Sequence, residues 1–167
     1  MTTQQHAAII GGGIIGLATA LELQARGWQV TLCDSAVAAR EASWAAAGML
    51  APFNEAHGRD PAWQRGCASL QSWEPFLRRH GISPQVVDLH RNGALLPIDD
   101  ARAEERSREL IGFFSKNGVH ELGPSNLKDL APHIDCNRAL WLPGGQVDPR
   151  RATMAFRRKA AENGVTL

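Results

Sequence analysis

The sequence predicts an α/β fold built on a parallel sheet, and three observations predict it. A short apolar run, His6 to Ile10, ends in glycines; apolar residues then recur at helical spacing from Ile14 to Arg26; and a second run, Trp28 to Cys33, follows and ends at Asp34. Strand, glycine-rich turn, helix and strand within about thirty residues make a βαβ unit, whose helical crossover implies parallel strands.

Each element has its own local reason. His6 to Ile10 reads as a buried strand because it is short, apolar and stopped by glycine. Ile14, Leu17, Ala18, Leu21 and Ala25 share one face of the helix, and Gly27 ends it in the left-handed conformation. Val30 and Leu32 alternate with Gln29 and Thr31 in the second strand. A polar, Ala-rich segment runs from Ser35 to Gly58. Asp60 as N-cap and Pro61 at the first helical position then start a long helix to about His80, with Gly81 beyond it. Its inward residues are Trp63, Cys67, Leu70, Phe76 and Leu77; Trp63 and Trp73, like Trp141, read as core or domain-interface residues. Gln85 to His90 and Ala94 to Ile98, joined around Arg91-Asn92-Gly93, read as a β-hairpin because Asn-Gly favours the tight primed turn. Asp99-Asp100 opens a charged helix through Lys116, closed by Asn117-Gly118. One turn at Leu127 to Leu130, a strand at Ala139 to Leu142, and a helix from Asp148-Pro149 to Asn163, closed by Gly164, complete the series. Val165-Thr166-Leu167 reads as the opening of another strand. There is no internal repeat and no low-complexity linker.

Composition narrows the function classes. The 167 residues carry 18 Lys+Arg against 17 Asp+Glu, a net charge of +1, so no bulk field recruits nucleic acid. No apolar run reaches the ~18 residues of a membrane span; the nearest, Ala7 to Leu23, is interrupted by Gly11, Gly12, Gly13 and Gly16. No Lys or Arg precedes it, unlike a signal peptide. Cys33, Cys67 and Cys136 are odd in number and form no CxxC pair, which points to reduced thiols and a cytoplasmic location. Cys33, inside a predicted strand, reads as core. The six histidines form no HxxxH or HxH spacing, so no metal site is expected. No Gly-x-Ser-x-Gly exists, and Ser43, Ser69 and Ser72 lie in no nucleophile elbow.

The chemistry concentrates in Gly11-Gly12-Gly13-Ile14-Ile15-Gly16, a Gly-x-Gly-x-x-Gly turn. Gly11 makes the tight turn, Gly13 leaves room for a pyrophosphate, and Gly16 lets helix and sheet pack closely. Free N–H groups and the positive helix end then hold phosphates without a cationic side chain. Asp34, eighteen residues past Gly16, can accept both ribose hydroxyls and would repel a 2′-phosphate, which disfavours NADP. The pattern alone does not separate FAD from NAD. Ser43-Trp44-Ala45-Ala46-Ala47-Gly48-Met49-Leu50-Ala51-Pro52 is rich in small residues that bring backbone close to a ligand; it equally suits a short helix packed on the sheet.

These residues together resemble a family. The run Ile9 to Gly16, Asp34, Ser43 and Ala45-Ala46-Ala47-Gly48-Met49-Leu50 is similar to the FAD-dependent D-amino-acid oxidase family, in particular its glycine oxidase branch of thiamine biosynthesis. Gly144-Gly145-Gln146-Val147-Asp148-Pro149-Arg150-Arg151 resembles the same family's approach to its third Rossmann strand. Residues 53 to 140 match only in layout. Asp34 stands where many members carry Glu, and Trp44 where a small residue is usual.

The resemblance implies the N-terminal part of a Rossmann-like FAD-binding domain of glutathione-reductase type, with a partial α+β substrate domain. The expected division is 1–52 for the FAD-binding βαβ unit, 53–142 for the partial substrate domain and 143–167 for the return. By position, Ile14 and Ile15 lie on the pyrophosphate, Asp34 and Ser35 on the ribose, Ala42 and Ser43 on the phosphates, and Ala47, Gly48 and Met49 beside the isoalloxazine ring. The implied activity is oxidation of glycine, small D-amino acids or related amines, with molecular oxygen as acceptor; an oligomer is compatible with it. Alternatives are an FAD-binding part that needs a partner half, and an NAD-linked dehydrogenase. In this family an Arg and a Tyr clamp the substrate carboxylate. This chain has no tyrosine, and Arg91, Arg138, Arg150, Arg151, Arg157 and Arg158 read as solvated faces or i,i+4 partners. No catalytic residue is therefore assigned. The third strand of the sheet has only begun at Leu167, so the length is read as short for its architecture. The isolated chain is expected to be inactive, and steady-state peroxide release from glycine or D-alanine would refute this.

Overall fold

The computed structural model describes residues 5–34 and 42–167. In chain order the elements are β1 (His6–Ile10), α1 (Ile14–Ala25), β2 (Gln29–Cys33), α2 (Ala42–Ala45), β3 (Met49–Leu50), α3 (Pro61–Arg79), β4 (Ala94–Pro97), α4 (Ala101–Phe114), β5 (His120–Leu122), α5 (Pro124–Leu130), β6 (Ala139–Leu142), β7 (Gly145–Gln146) and α6 (Pro149–Glu162). They fall into two compact units. The first holds the described residues up to Gly48 with Glu74–Leu89 and Val147–Leu167; the second holds Met49–Trp73 and His90–Gln146.

The first unit is the predicted βαβ unit. β1 and β2 run parallel, His6 opposite Gln29 through Ile10 opposite Cys33. On the other side of β2, Thr166 pairs in parallel with Thr31. Its N–H donates to the Val30 carbonyl at 3.0 Å and its carbonyl accepts from Leu32 at 2.8 Å. The predicted strand opening at residues 165–167 is thus present as a third parallel position beside β2. α1 buries Leu17, Ala20 and Leu21 and packs on α6, which buries Ala152, Ala155, Phe156 and Ala160. Gly27 and Gly164 end these two helices in the left-handed region, as the sequence indicates.

At the end of α3, Phe76 stacks 4.6 Å from the His80 ring and 5.0 Å from Phe156. His80, whose side chain is almost fully buried, places Nε2 3.1 Å from Glu22 Oε1, and Arg79 donates to the same oxygen at 2.6 Å. Hydrogen bonding from His80, reinforced by the charges of Arg79 and His80, holds the Glu22 carboxyl below the usual carboxylate range against a partial cost of burial.

The second unit contains a three-stranded antiparallel sheet in the order β4-β6-β5 and a short β3–β7 pair. Its core is Phe53, Ala56, Leu110, Phe114, Val119, Leu140 and Leu142, with Trp63 packed against it. Phe53 meets Phe114 edge-on at 5.3 Å, and Trp63 lies 4.8 Å from Phe114. Asp100 caps α4 by accepting the Ala103 N–H at 2.7 Å, and Asp60 accepts the Trp63 N–H at 2.7 Å at the start of α3, as expected of both.

Four readings of the sequence change. β1, read as a buried strand, exposes His6 and Ala8 and leaves Ile10 93% exposed. The β-hairpin at 85–98 does not form. Residues 83–89 coil into turns, with Val86 bonded to Ser83 and Leu89 to Pro84, and only His90 makes a bridge, to Gln146. β4 pairs instead with β6, Ala94 opposite Leu142 through Pro97 opposite Ala139. The Asn-Gly signal is real, since Gly93 has φ +73°, but its N–H bonds the Gly144 carbonyl at 3.2 Å, so the turn feeds a distant strand. Cys33 lies in β2 as predicted but is exposed at its end. The single turn expected at 127–130 is a longer helix because Pro124 at its first position pre-sets the backbone. β5 was not anticipated: three residues carry too little periodicity to be read.

Two consequences are testable by urea denaturation. A methyl group at Gly93 would overlap the Trp141 ring at a positive φ, so Gly93→Ala should lose about 3 kcal/mol. The lowered Glu22 pKa means its contribution is complete above the unfolded carboxylate pKa and is lost as pH falls through the folded value. Glu22→Gln should therefore destabilise by about 1 kcal/mol at pH 7, the gap to wild type closing as the pH falls below the ordinary carboxylate range.

Candidate cofactor site

β1 stops where Gly11 donates its N–H to the Cys33 carbonyl at 2.7 Å, tying the two strand ends together. The chain then crosses Gly12 and enters α1 with Gly13 as its extended N-cap, which has no side chain to cap the helix; no acidic residue lies in the first turn. The first amides of a helix have no partner within it, and here two distant side chains approach them. The Ile14 N–H donates to Ser43 Oγ at 3.0 Å, and the Gly12 N–H donates to Asp34 Oδ2 at 3.1 Å.

Three of the glycines stand where a side chain would crowd a neighbour, Gly16 against backbone and Gly12 and Gly13 against side-chain ends. A methyl group on Gly12 would stand 2.6 Å from Asp34 Oδ2, one on Gly13 would stand 3.0 Å from Ser43 Oγ, and one on Gly16 would overlap the Gly11 carbonyl. The sequence assigns Gly16 to helix–sheet packing, and the structure places it against the strand end. Ile14 is half-buried while Ile15 is 78% exposed, so an apolar side chain stands in the open at the helix entrance.

The other predicted site residues lie as follows. Ser35 falls outside the described residues. Ala42 opens α2 and is exposed, and Ala47 is exposed in the turn after it. Gly48 has φ +79°, and a methyl group there would overlap the Val147 carbonyl; its own carbonyl accepts the Val147 N–H at 2.9 Å. Met49 begins β3 in the second unit and is 63% exposed. The structure therefore brings Gly11, Gly12, Gly13, Ile14, Gly16, Asp34 and Ser43 together.

Sequence reasoning missed the setting of three arginines. Arg150 places its guanidinium carbon 5.1 Å from the Trp44 ring centre and donates from Nε to the Trp44 carbonyl at 3.4 Å. Arg91 donates to the Leu70 carbonyl at 2.6 Å. Arg138 bridges Glu104 at 2.8 Å and Glu121 at 2.6 Å, holding the Glu121 carboxyl below its usual range. None of the three is simply a solvated or i,i+4 group, although Arg158 pairs with Glu162 in the expected manner. A signal for Arg150 was present: a cation in the first turn of a helix opposes the dipole and calls for an outside partner.

Within the second unit a cleft of about 220 Å³ is lined by residues of 49–55 and of α3, among them Met49, Glu55, Ser69 and Trp73. Glu55 is the charged residue on its wall, and no Arg or Lys lines it. Among the described residues no group of His, Cys, Asp and Glu could hold a metal ion, and no helix is long and apolar enough to cross a membrane.

A glycine cradle that side chains would fill, a helix entrance led by backbone N–H groups and an acid at the end of the next strand fit the adenosine–pyrophosphate part of a dinucleotide. Known proteins resemble the chain as a whole. Glycine oxidase of Pseudomonas putida is 44% identical over 140 residues, covering 72% of this chain and 36% of that protein. The tRNA 5-methylaminomethyl-2-thiouridine biosynthesis bifunctional protein of Pseudomonas paraeruginosa is 49% identical over 166 residues, 98% of this chain and 24% of that one. The crystal structure of glycine oxidase from Geobacillus kaustophilus superposes with a TM-score of 0.84 at 24% identity, covering 96% of this chain and 45% of that one. This chain thus spans less than half the length of each. The pattern of the DAO family, described as FAD dependent oxidoreductase, matches residues 6–167, and the chain belongs to that family.

Proposed function

We propose that this chain holds FAD at the entrance of α1 and forms the cofactor-binding part, with some of the substrate domain, of an amine-oxidising flavoenzyme of the glycine oxidase kind. One observation carries the reading: the convergence of the Gly12 and Ile14 amides, Asp34 and Ser43 on a glycine turn that is crowded at Gly12, Gly13 and Gly16. The α1 amides and the Ser43 hydroxyl hold the pyrophosphate. Asp34, steadied by the Gly12 N–H, accepts the ribose hydroxyls, with Ser35 beside it, and Ala42 adjoins the phosphates. Ala47 and Gly48 present backbone and a small side chain to the isoalloxazine ring.

If bound there, FAD would supply the two-electron redox chemistry that oxidises an amine at the expense of molecular oxygen. The substrates in this reading are glycine, small D-amino acids or related N-substituted amines. The first unit serves the cofactor and the second contributes to the substrate domain. The cleft there has no cation to pair with a carboxylate, which supports the expectation that the isolated chain does not turn over.

Titration with FAD, followed by flavin absorbance near roughly 450 nm, tests the reading. Wild-type chain should take up FAD, and Asp34→Asn should weaken it about tenfold, as for the loss of one charged hydrogen-bonding group. Tight uptake of NAD without flavin would overturn it.

A further inference from the structure

α6 opens with two cations where a helix disfavours them. Arg150 and Arg151 occupy its first turn, with no acidic residue in that turn. Asp148 anchors the backbone beneath both, its Oδ1 accepting the Arg150 N–H at 2.9 Å and the Arg151 N–H at 3.0 Å. The Arg151 guanidinium lies 3.8 Å from Asp88. Arg150 has an aromatic partner instead: its guanidinium lies over the Trp44 ring and its Nε donates to the carbonyl of the same residue.

Trp44 follows Ser43, whose hydroxyl receives the Ile14 N–H, and it precedes the Ala47-Gly48 turn. That turn is pinned at its far end by the Val147 N–H on the Gly48 carbonyl, two residues ahead of α6. The beginning of α6 therefore grips the 44–48 segment at two points, one through the backbone of Val147 and one through the side chain of Arg150. α2 buries no residue, so packing alone does not hold this segment.

We propose that Arg150 is a positioning residue for the cofactor: clasped on Trp44, it holds the Ala47-Gly48 backbone where the isoalloxazine ring of FAD must lie. This rests on the reading of Ala47 and Gly48 as the ring's neighbours. Both contacts that Arg150 makes with this segment are to Trp44, so its effect falls on the ring end of the ligand.

FAD and ADP, which share the pyrophosphate and adenosine but differ in the ring, separate the two ends. Binding of each is measured on the chain by titration calorimetry, alongside a urea midpoint without ligand. Arg150→Ala should weaken FAD about fivefold to tenfold and leave ADP within about twofold, with the urea midpoint unchanged. Trp44→Ala should do the same, the double variant should be no weaker than the worse single one, and Arg150→Lys should fall between, because an ammonium lacks the stacking plane. Equal losses for FAD and ADP, additive losses in the double variant, or a lowered urea midpoint with both affinities intact would overturn the proposal. If wild type binds ADP but FAD no more tightly, the placement of the ring falls and the clasp's role with it, while the pyrophosphate site stands. Failure to bind either ligand removes the site itself.

Discussion

The close approach of α1 to the end of β1 is the constraint on which the first unit depends. Gly16 sits so near the Gly11 carbonyl that no side chain fits between them. That contact sets the helix against the sheet, buries Leu17, Ala20 and Leu21, and brings the first amides of α1 to the carboxyl ends of β1 and β2. Phosphate binding without a cation needs this geometry, because the field of the helix end decays within about a turn. Asp34 reaches the same place because β2 runs parallel to β1 and stops level with the glycine turn. A family whose chemistry resides in its cofactor asks the protein mainly for placement.

Charge is used locally throughout. With Lys and Arg nearly balanced by Asp and Glu, the chain has no long-range field, and its arginines act through short-range contacts. Arg138 joins Glu104 of α4 to Glu121 of β5, Arg79 with His80 fixes Glu22 of α1, and Arg150 meets Trp44. Each links segments far apart in sequence. Trp44 acquires a physical reason in the guanidinium above it.

The βαβ unit was legible in the sequence because its signals are local: apolar runs, 3.6-residue periodicity and glycine at each stop. The caps Asp60, Asp100 and Asp148 were legible for the same reason, each bonding an amide two or three residues ahead. The hairpin expected around Asn92-Gly93 failed because a turn signal specifies a change of direction and not the strand that is joined. Leu95 and Leu96 found Trp141 and Leu140, about 45 residues away, and burial in a three-stranded sheet outweighed the nearer partner. Cys33 was misread because a position within a strand does not say which strand end is covered.

By itself the sequence determined the parallel βαβ unit, the dinucleotide-type turn with its acid, the absence of a metal motif and the family resemblance. All rest on residue type and short spacing, which local sterics and hydrogen bonding translate directly into structure. Only the tertiary structure decided that the Gly12 amide meets Asp34, that Ser43 reaches Ile14, that β4 pairs with β6 and that Arg150 lies over Trp44. Those contacts join residues from 22 to more than 100 positions apart. Their formation depends on how whole elements pack, a balance of burial and chain entropy that no short window of sequence contains.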